Sequence, residues 1–330
     1  MDFAEYKDIL VVLELDEGKP VNVSLENIAA AKSVVNGGKV IAVTVCENAA
    51  KTAIEYGADS AIVIEGAQFE GYNADAVADA VAQIAAEVKP AAIFTGATGK
   101  GKDLVPRIAA KLATGSVCDA TAVKLDEAGN VVFTVPAYGG NILTDVVIDS
   151  VRPQVASIRG GSVAKLEPEA GKAGDIAKKA ITVADDQIKL QIKETVKEIA
   201  ESVNLEEAEV IVSGGRGMGS KENFALVDDL AKLLGGVVGA TRPAIEDGWV
   251  SKIHQVGQSG KIVAPKLYIA CGISGATQHV SGIMNSGYIV AINKDEDAPI
   301  FDVANVGIVG DVMKVLPVMI EEIKKIKDAQ

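Results

Sequence analysis

Aromatic residues make up only 4% of the 330-residue chain, and histidine and cysteine are scarcer still, at two and three. The cysteines, Cys46, Cys118 and Cys271, lie far apart and none forms a C-x-x-C pair. That spacing excludes a disulfide framework and a cysteine-based zinc or iron–sulfur site. His254 and His279 cannot build a histidine-rich metal centre, so any imidazole chemistry must use one of these two. Basic charge is also short: 32 Lys and Arg against 45 Asp and Glu leave a net charge of −13. A nucleic-acid binder needs the opposite balance to displace counterions, and an anionic membrane would repel this surface. No apolar run approaches the roughly 18 residues of a membrane span. Residues 1–8 are acidic and carry no apolar core, which predicts neither a signal nor a transit peptide and a cytoplasmic protein.

What is abundant is small and aliphatic. Hydrophobic residues reach 48% and Gly numbers 33, so Ala, Val and Ile fill the interior. These residues suit buried parallel strands and closely packed helices. Apolar runs at 9–13, 40–46, 58–64 and 91–95 predict strands, separated by helices at 24–35 (capped by Ser24), 49–56, 74–88 (capped by Asn73) and 103–112. Strands alternating with helices of this length imply a parallel sheet. Segments 121–125 and 131–135 flank a hairpin turn, and 141–150 and 154–159 continue the β character. They predict an antiparallel addition to the first domain. Residues 160–186 read as a surface excursion, 187–192 as a strand, and 195–202 as a short charged segment. The expected division is an N-terminal α/β domain, 1–203, and a C-terminal domain, 204–330. In the latter, strands are expected at 209–213, 237–240, 266–270, 288–292 and 306–309. A helix is expected at 221–234, and a last one follows Asp311, with lysines in its closing turns.

Several strand–helix junctions could carry chemistry. Gly96 to Asp103 matches G-x-x-x-x-G-K, but Asp103 stands where a P-loop has the Mg²⁺-binding hydroxyl. It reads as a tight turn with an N-cap, or as a lysine-bearing helix start that attracts an anion. In the C-terminal domain, Ser213-Gly-Gly-Arg216-Gly-Met-Gly219 misses the dinucleotide fingerprint by one residue, and Arg216 could pair with a pyrophosphate. Gly239-Ala-Thr241-Arg242-Pro243, residues 255–264 with Gly257, Gln258 and Ser259, residues 271–279 ending in His279, and Asn293 all follow strands. The carboxyl ends of parallel strands share one edge, so these pieces converge on one crevice. Composition and pattern thus reach a dinucleotide-binding domain. A non-redox nucleotide-binding regulatory subunit and an NAD-linked enzyme on a similar sheet remain open on these grounds.

Five strings together resemble the α subunit of the electron-transfer flavoproteins: SGGRG from Ser213, GATRP from Gly239, QVGQSGKIVAPKLYIACGISGATQH from Gln255, IVAINKD from Ile289 and APIFDVANVGIVGD from Ala298. Residues 136–140 (PAYGG) and 150–153 (SVRP) extend the likeness loosely into the first domain. The resemblance implies a heterodimer with a β subunit, a Rossmann-like C-terminal domain holding an extended FAD, and an acyl-CoA or other dehydrogenase as electron partner. It implies FAD contacts at Arg216, Thr241, Arg242, Val256, Gly257, Gln258, Ser259, Ser274, Gly275, Ala276, Thr277, Gln278, His279, Asn293, Asp311 and Val312. Arg242 would stabilise reduced, anionic flavin, Ser259 would hydrogen-bond N5, and His279 would serve the N1/O2 edge. The Gly-Ile-Ser-Gly helix end would hold the pyrophosphate, and Asn293 and Asp311 the adenosine half. Many family members have Thr at the position of Ser259 and Ser at that of Thr241, so both hydroxyls are kept. Thr241-Arg242-Pro243 and Gly248-Trp249 resemble the subgroup that bifurcates electrons from NADH, whose C-terminal domain would swing on a linker near residue 203.

Overall fold

A computed structural model of the chain describes residues 3–138, 142–190 and 204–328. The chain divides into two units, Met1–Val196 and Lys197–Gln330. The boundary expected after residue 203 and the segment expected at 195–202 lie outside the described residues, as do Gly139 and Gly140.

The first unit is built on β1 (Ile9–Val12), the short pair β2 (Leu15–Asp16) and β3 (Lys19–Pro20), α1 (Asn22–Val34), β4 (Val40–Thr44), α2 (Glu47–Glu55), β5 (Ser60–Glu65), α3 (Ala74–Val88), β6 (Ala92–Gly96), α4 (Gly99–Lys111), β7 (Ser116–Ala120), β8 (Ala122–Leu125), β9 (Val131–Ala137), β10 (Ile142–Val147), β11 (Gln154–Ile158) and β12 (Asp175–Ala180). Seven strands form one sheet in the order β12-β5-β4-β1-β6-β11-β7, and every pairing in it is parallel. All residues of β4, β6 and β11 are buried, as strands covered on both faces must be. Alternation then sorts the strand residues. Ile9 and Val11 pack with Leu25, Ile28 and Ile54 under α1 and α2, while Leu10 and Val12 pack with Val81, Ile84 and Ile108 under α3 and α4.

A separate three-stranded sheet, β10-β9-β8, is antiparallel throughout. Phe133 fixes it to the large sheet, packing edge-on to Phe94 with centroids 5.9 Å apart. The buried carboxamide of Gln154 substitutes for a ladder partner: Val131 N–H donates to its Oε1 at 2.9 Å and its Nε2 donates to the Val131 carbonyl at 2.7 Å.

Four expectations are corrected. Residues 154–158 do not belong with the antiparallel strands; β11 inserts between β6 and β7 as a parallel strand buried on both faces. The stretch 160–186 is more than an excursion, because β12 pairs with β5 at the sheet edge. The described part of 187–192 forms no strand; Lys189 and Leu190 instead donate their N–H groups to Asp75 Oδ2. Ser24 does not cap α1, which begins at Asn22, and its buried hydroxyl pairs with the backbone of Glu14. Asn73 does cap α3, accepting from the N–H groups of Asp75 and Ala76.

The second unit has β13 (Val210–Gly214), α5 (Phe224–Leu234), β14 (Val237–Ala240), α6 (Arg242–Glu246), β15 (Leu267–Cys271), α7 (Thr277–Val280), β16 (Ile289–Asn293), β17 (Val306–Val309) and α8 (Val312–Asp328). Its five strands are parallel in the order β14-β13-β15-β16-β17. On one face Val212, Ile269 and Ile292 pack with Phe224, Leu230, Leu316 and Ile320 of α5 and α8. On the other, Ile211, Tyr268, Ala270 and Ala291 pack with Val256, Val263, Ile283 and Ile300, mostly from loops. No helix among the described residues is long and apolar enough to cross a membrane.

Asn73→Ala removes the acceptor that holds the first turn of α3 and is expected to cost about 1 kcal/mol in urea unfolding. Asn73→Asp keeps the cap acceptor but sets an oxygen against the Leu190 carbonyl, to which Asn73 Nδ2 donates at 2.9 Å, so it is expected to recover only part of the loss.

Candidate functional site

In the second unit the chain order 2-1-3-4-5 reverses direction between β13 and β15, and such a switch point opens a crevice beyond the strand carboxyl ends. A cleft of about 740 Å³ lies there. Two glycines bring its inner loops together. A Cβ on Gly217 would stand 2.5 Å from the Gly272 carbonyl oxygen, and one on Gly272 would stand 2.8 Å from the Gly217 backbone. Gly272 also has φ +62°, and Gly217 N–H donates to its carbonyl at 3.0 Å.

The cleft gathers Arg216, Thr241, Arg242, Val256, Gly257, Gln258, Ser259, Ser274, Ala276, Gln278, His279, Asn293, Asp311 and Val312. Two expected residues are not in its lining. Gly275 is buried with φ +91°, its α-carbon so close to Ile300 that a Cβ would meet the Ile300 nitrogen at 2.2 Å. Thr277 opens α7 and is exposed outside the cleft wall. Gly215, Gly217, Pro243, Gly272, Ile273, Lys294 and Asp295 line the cleft without having been expected as contacts. Each adjoins or sits within a motif already singled out, and strand-end position was the signal that could have named them.

Hydrogen bonds decide what each group can offer. Gln255 is buried, and its Nε2 donates to Ser259 Oγ at 2.9 Å. With that lone pair engaged, the Ser259 hydroxyl keeps its proton to donate into the cleft. Arg242 Nε pairs with Glu246 at 2.7 Å across one turn of α6. Arg216 and Lys294 have no ion-pair partner among the described residues. Asn293 is committed to the fold: its Nδ2 donates to the Ile273 carbonyl and its Oδ1 accepts from Asp295 N–H. Asp311 accepts from Met313 N–H and so caps α8. The helix expected to hold a pyrophosphate has only four residues, so its macrodipole is slight. What remains there is the set of first-turn N–H groups of Ala276, Thr277 and Gln278, which no acceptor among the described residues engages.

His279, expected at the N1/O2 edge of a flavin, lines the cleft. It is 6% exposed, with Nδ1 3.1 Å from the Val256 carbonyl and Nε2 3.0 Å from the Tyr268 hydroxyl. Both ring nitrogens thus have partners within the fold, and the ring lines the cleft. Burial pushes its pKa down to about 4, against the weaker upward pull of the Val256 carbonyl. Burial likewise raises the Tyr268 phenol and pushes the Cys271 thiol up to about 12, leaving that cysteine unreactive.

Comparison with known proteins decides what this cleft belongs to. Residues 9–185 match the electron transfer flavoprotein domain, and residues 204–284 match the electron transfer flavoprotein FAD-binding domain. The electron transfer flavoprotein subunit alpha of Thermoanaerobacterium thermosaccharolyticum is 45% identical over 98% of this chain and 99% of its own. The chain belongs to the electron transfer flavoprotein α-subunit family. The subunit alpha of Megasphaera elsdenii is 42% identical over 99% of both chains. The acryloyl-CoA reductase electron transfer subunit beta of Anaerotignum propionicum is 38% identical over 99% of this chain and 98% of its own. The cleft is formed by the loops after β13, β14, β15, β16 and β17, the first three of them within the residues that match the FAD-binding family.

The other loop singled out, Gly96 to Asp103, lies in the first unit and is internally satisfied. Thr98 caps α4 by accepting from Gly101 N–H at 3.0 Å and donates to Glu14 at 2.5 Å. Lys100 pairs with Glu14, Lys102 with Asp119 and Asp103 with Arg107. A Cβ on Gly101 would strike the Gly96 carbonyl at 1.8 Å, so this is a tight turn with an N-cap.

Because folding lowers the His279 pKa, the unfolded chain takes up a proton on acidification before the folded chain does. Stability from this group is therefore lost as pH falls from about 6.5 towards 4. The difference between pH 7 and pH 5 is expected to be about 2 kcal/mol. His279→Gln is expected to flatten the stability profile in that window, as measured by urea unfolding at each pH.

Proposed function

We propose that this α subunit binds FAD along the second-unit cleft and works as an electron carrier, paired with a β subunit in the cytoplasm. The donor set carries the reading. Arg216 and Lys294, without an ion-pair partner among the described residues, the N–H groups of the β15–α7 turn that no described acceptor engages, and the outward-donating Ser259 suit a long, anionic, oxygen- and nitrogen-rich ligand. The cleft volume of about 740 Å³ falls within the range of cofactor sites. Bound flavin would supply the capacity to take up and release electrons, and the protein's part is to position it and tune it electrostatically. Arg216 and the turn N–H groups bind phosphate oxygens. Ser259 donates to the ring system, and Arg242 brings positive charge towards it. Glu246 orients Arg242 through Nε and leaves its terminal nitrogens without a partner among the described residues. Asn293 and Asp311 shape the adenosine end through the loops they brace, and Val256 and Val312 supply apolar wall.

An acyl-CoA dehydrogenase is the partner class best supported, because one relative serves acryloyl-CoA reductase. Electron bifurcation from NADH is the finer reading. It rests on the Thr241-Arg242-Pro243 and Gly248-Trp249 signatures. These frame α6: Gly248, at φ +72°, ends it, and Trp249 packs edge-on to Phe224 at 6.0 Å. Both signatures therefore fix the helix that carries Arg242.

The purified chain, coexpressed with a β subunit, is expected to show flavin absorption bands. A colourless protein that FAD cannot reconstitute would overturn the reading in favour of a non-redox nucleotide-binding subunit. Arg242→Ala is expected to lower the flavin potential by roughly 30 mV or more, since about 1.4 kcal/mol in a two-electron couple corresponds to 30 mV. An unchanged potential removes that role from Arg242. For bifurcation, the heterodimer is expected to hold two flavins and to be reduced by NADH; one flavin and no response to NADH refutes it.

A further inference from the structure

The first unit's last described residues, 181–190, precede the chain's passage to the second unit. Ile181 and Val183 are buried in the core under α3 and α4. Beyond them apolar burial gives out. Of residues 184–190 only Ile188 is half-buried, and Leu190 is 47% exposed. Polar groups hold this stretch instead. Asp75, only 7% exposed, accepts through Oδ2 from Lys189 N–H at 2.8 Å and Leu190 N–H at 3.0 Å, and through Oδ1 from Arg107 Nη1 at 2.5 Å. Asn73 Nδ2 donates to the Leu190 carbonyl at 2.9 Å. Both backbone groups of Leu190 are thus held by side chains at the start of one helix. The dipole of α3 favours a carboxylate in that first turn, and hydrogen bonds to a carboxylate are of the stronger kind.

The contrast between buried Ile181 and Val183 and the exposed stretch beyond them fixes how this segment can open. Once Asp75 lets go, water can solvate the freed backbone groups, so residues 184–190 can detach while the core beneath stays closed. We propose that Asp75, with Asn73, is a latch that sets where the connection to the second unit begins: after Leu190 when closed, after Val183 when open. Opening adds residues 184–190 to the connection, up to about 25 Å of further reach. The second unit carries the cleft, so the latch limits how far the cleft can travel from the first unit. A longer connection also lowers the effective concentration of one unit around the other. This holds whatever the cleft binds, and goes beyond the FAD reading without resting on it.

The test is residue-resolved hydrogen exchange on the full chain with its β subunit, comparing wild type, Asp75→Asn and Asn73→Asp. The Lys189 and Leu190 amides are expected to be protected in the wild type. In Asp75→Asn they are expected to exchange at least about tenfold faster, as the loss of one charge-assisted hydrogen bond implies, with β1 and β4 unchanged. Asn73→Asp keeps the α3 cap and opposes the Leu190 carbonyl, so it opens the latch from the other side with a smaller acceleration in the same residues. Spin labels on the exposed Cys118 and on Glu222→Cys, in a Cys46→Ala background, read the distance between the units. That distribution is expected to extend to longer distances in both variants, which a merely structural role for Asp75 would not produce. Lys189 and Leu190 amides that exchange freely in the wild type overturn the proposal, as does protection that survives both substitutions. So does an unchanged distance distribution in a variant whose amides have opened. Should Asp75→Asn fail to fold, Asn73→Asp carries both readouts. Neither readout uses flavin, so a chain that takes up no FAD sinks the functional reading and leaves this inference standing.

Discussion

Everything at the cleft depends on the backbone contact between Gly217 and Gly272. These residues sit in the loops that leave β13 and β15, the two neighbouring strands at which the sheet reverses its direction of winding. At van der Waals range there is no room for a side chain on either, and the Gly217 N–H bond to the Gly272 carbonyl uses the closeness. The contact joins the roots of the two loops, so their outer parts diverge. Arg216 is left on one bank, Ser274 and Ala276 on the other. A second pair of glycines repeats the device. A Cβ on Gly282 would stand 2.5 Å from the Gly257 α-carbon, which draws the Ser259 loop against α7. Gln258 N–H then donates to the Gln278 carbonyl at 2.7 Å and closes the joint.

Much of this was legible in the sequence, and for one reason. Parallel strands buried on both faces are short continuous apolar runs, and they stand out against the glycine-rich turns that end them. Nothing more was needed to place β13 to β17 and to infer that their carboxyl ends share an edge. Where the reading failed, the missing information was tertiary. β11 follows an antiparallel hairpin in sequence, and only the completed sheet shows it between β6 and β7; its unbroken burial was the overlooked hint. β12 reads Asp-Ile-Ala-Lys-Lys-Ala, an edge strand too polar to announce itself. Ser24 has the chemistry of a cap, but its hydroxyl serves a distant backbone.

The site shows the same division. Motif position found most cleft residues but could not tell a side chain that faces a ligand from one that braces the wall. Asn293 and Asp311 line the cleft where a ligand contact is expected, and each also braces the wall, through Ile273 and Asp295 for Asn293 and through Met313 for Asp311. Gly275 lies in the same loop and packs against the Ile300 backbone, where a Cβ would not fit. Only hydrogen-bond geometry separates these roles, because the same residue types serve both.

That separation has an electrostatic logic. A cation that binds phosphates or tunes a redox ring must keep its charge, so it belongs where water can solvate it until the ligand arrives. Arg216, Arg242 and Lys294 are all outside the core. An imidazole buried to 6% exposure lies under the opposite pressure, since ionising it would strand a charge in apolar surroundings. Satisfying both its nitrogens with neutral partners is how such a ring is kept. His279 therefore lines the cleft as a buried ring, while Asp295 and Asp311 bring negative charge to the same wall as the exposed cations Arg216, Arg242 and Lys294. These lie on loops after β13, β14 and β16, so three separate strand ends must be in register for their charges to converge on one ligand. The rigid parallel sheet supplies that register, which ties the cleft's electrostatics to the packing of Ile211, Val212, Tyr268 and Ile269 beneath it.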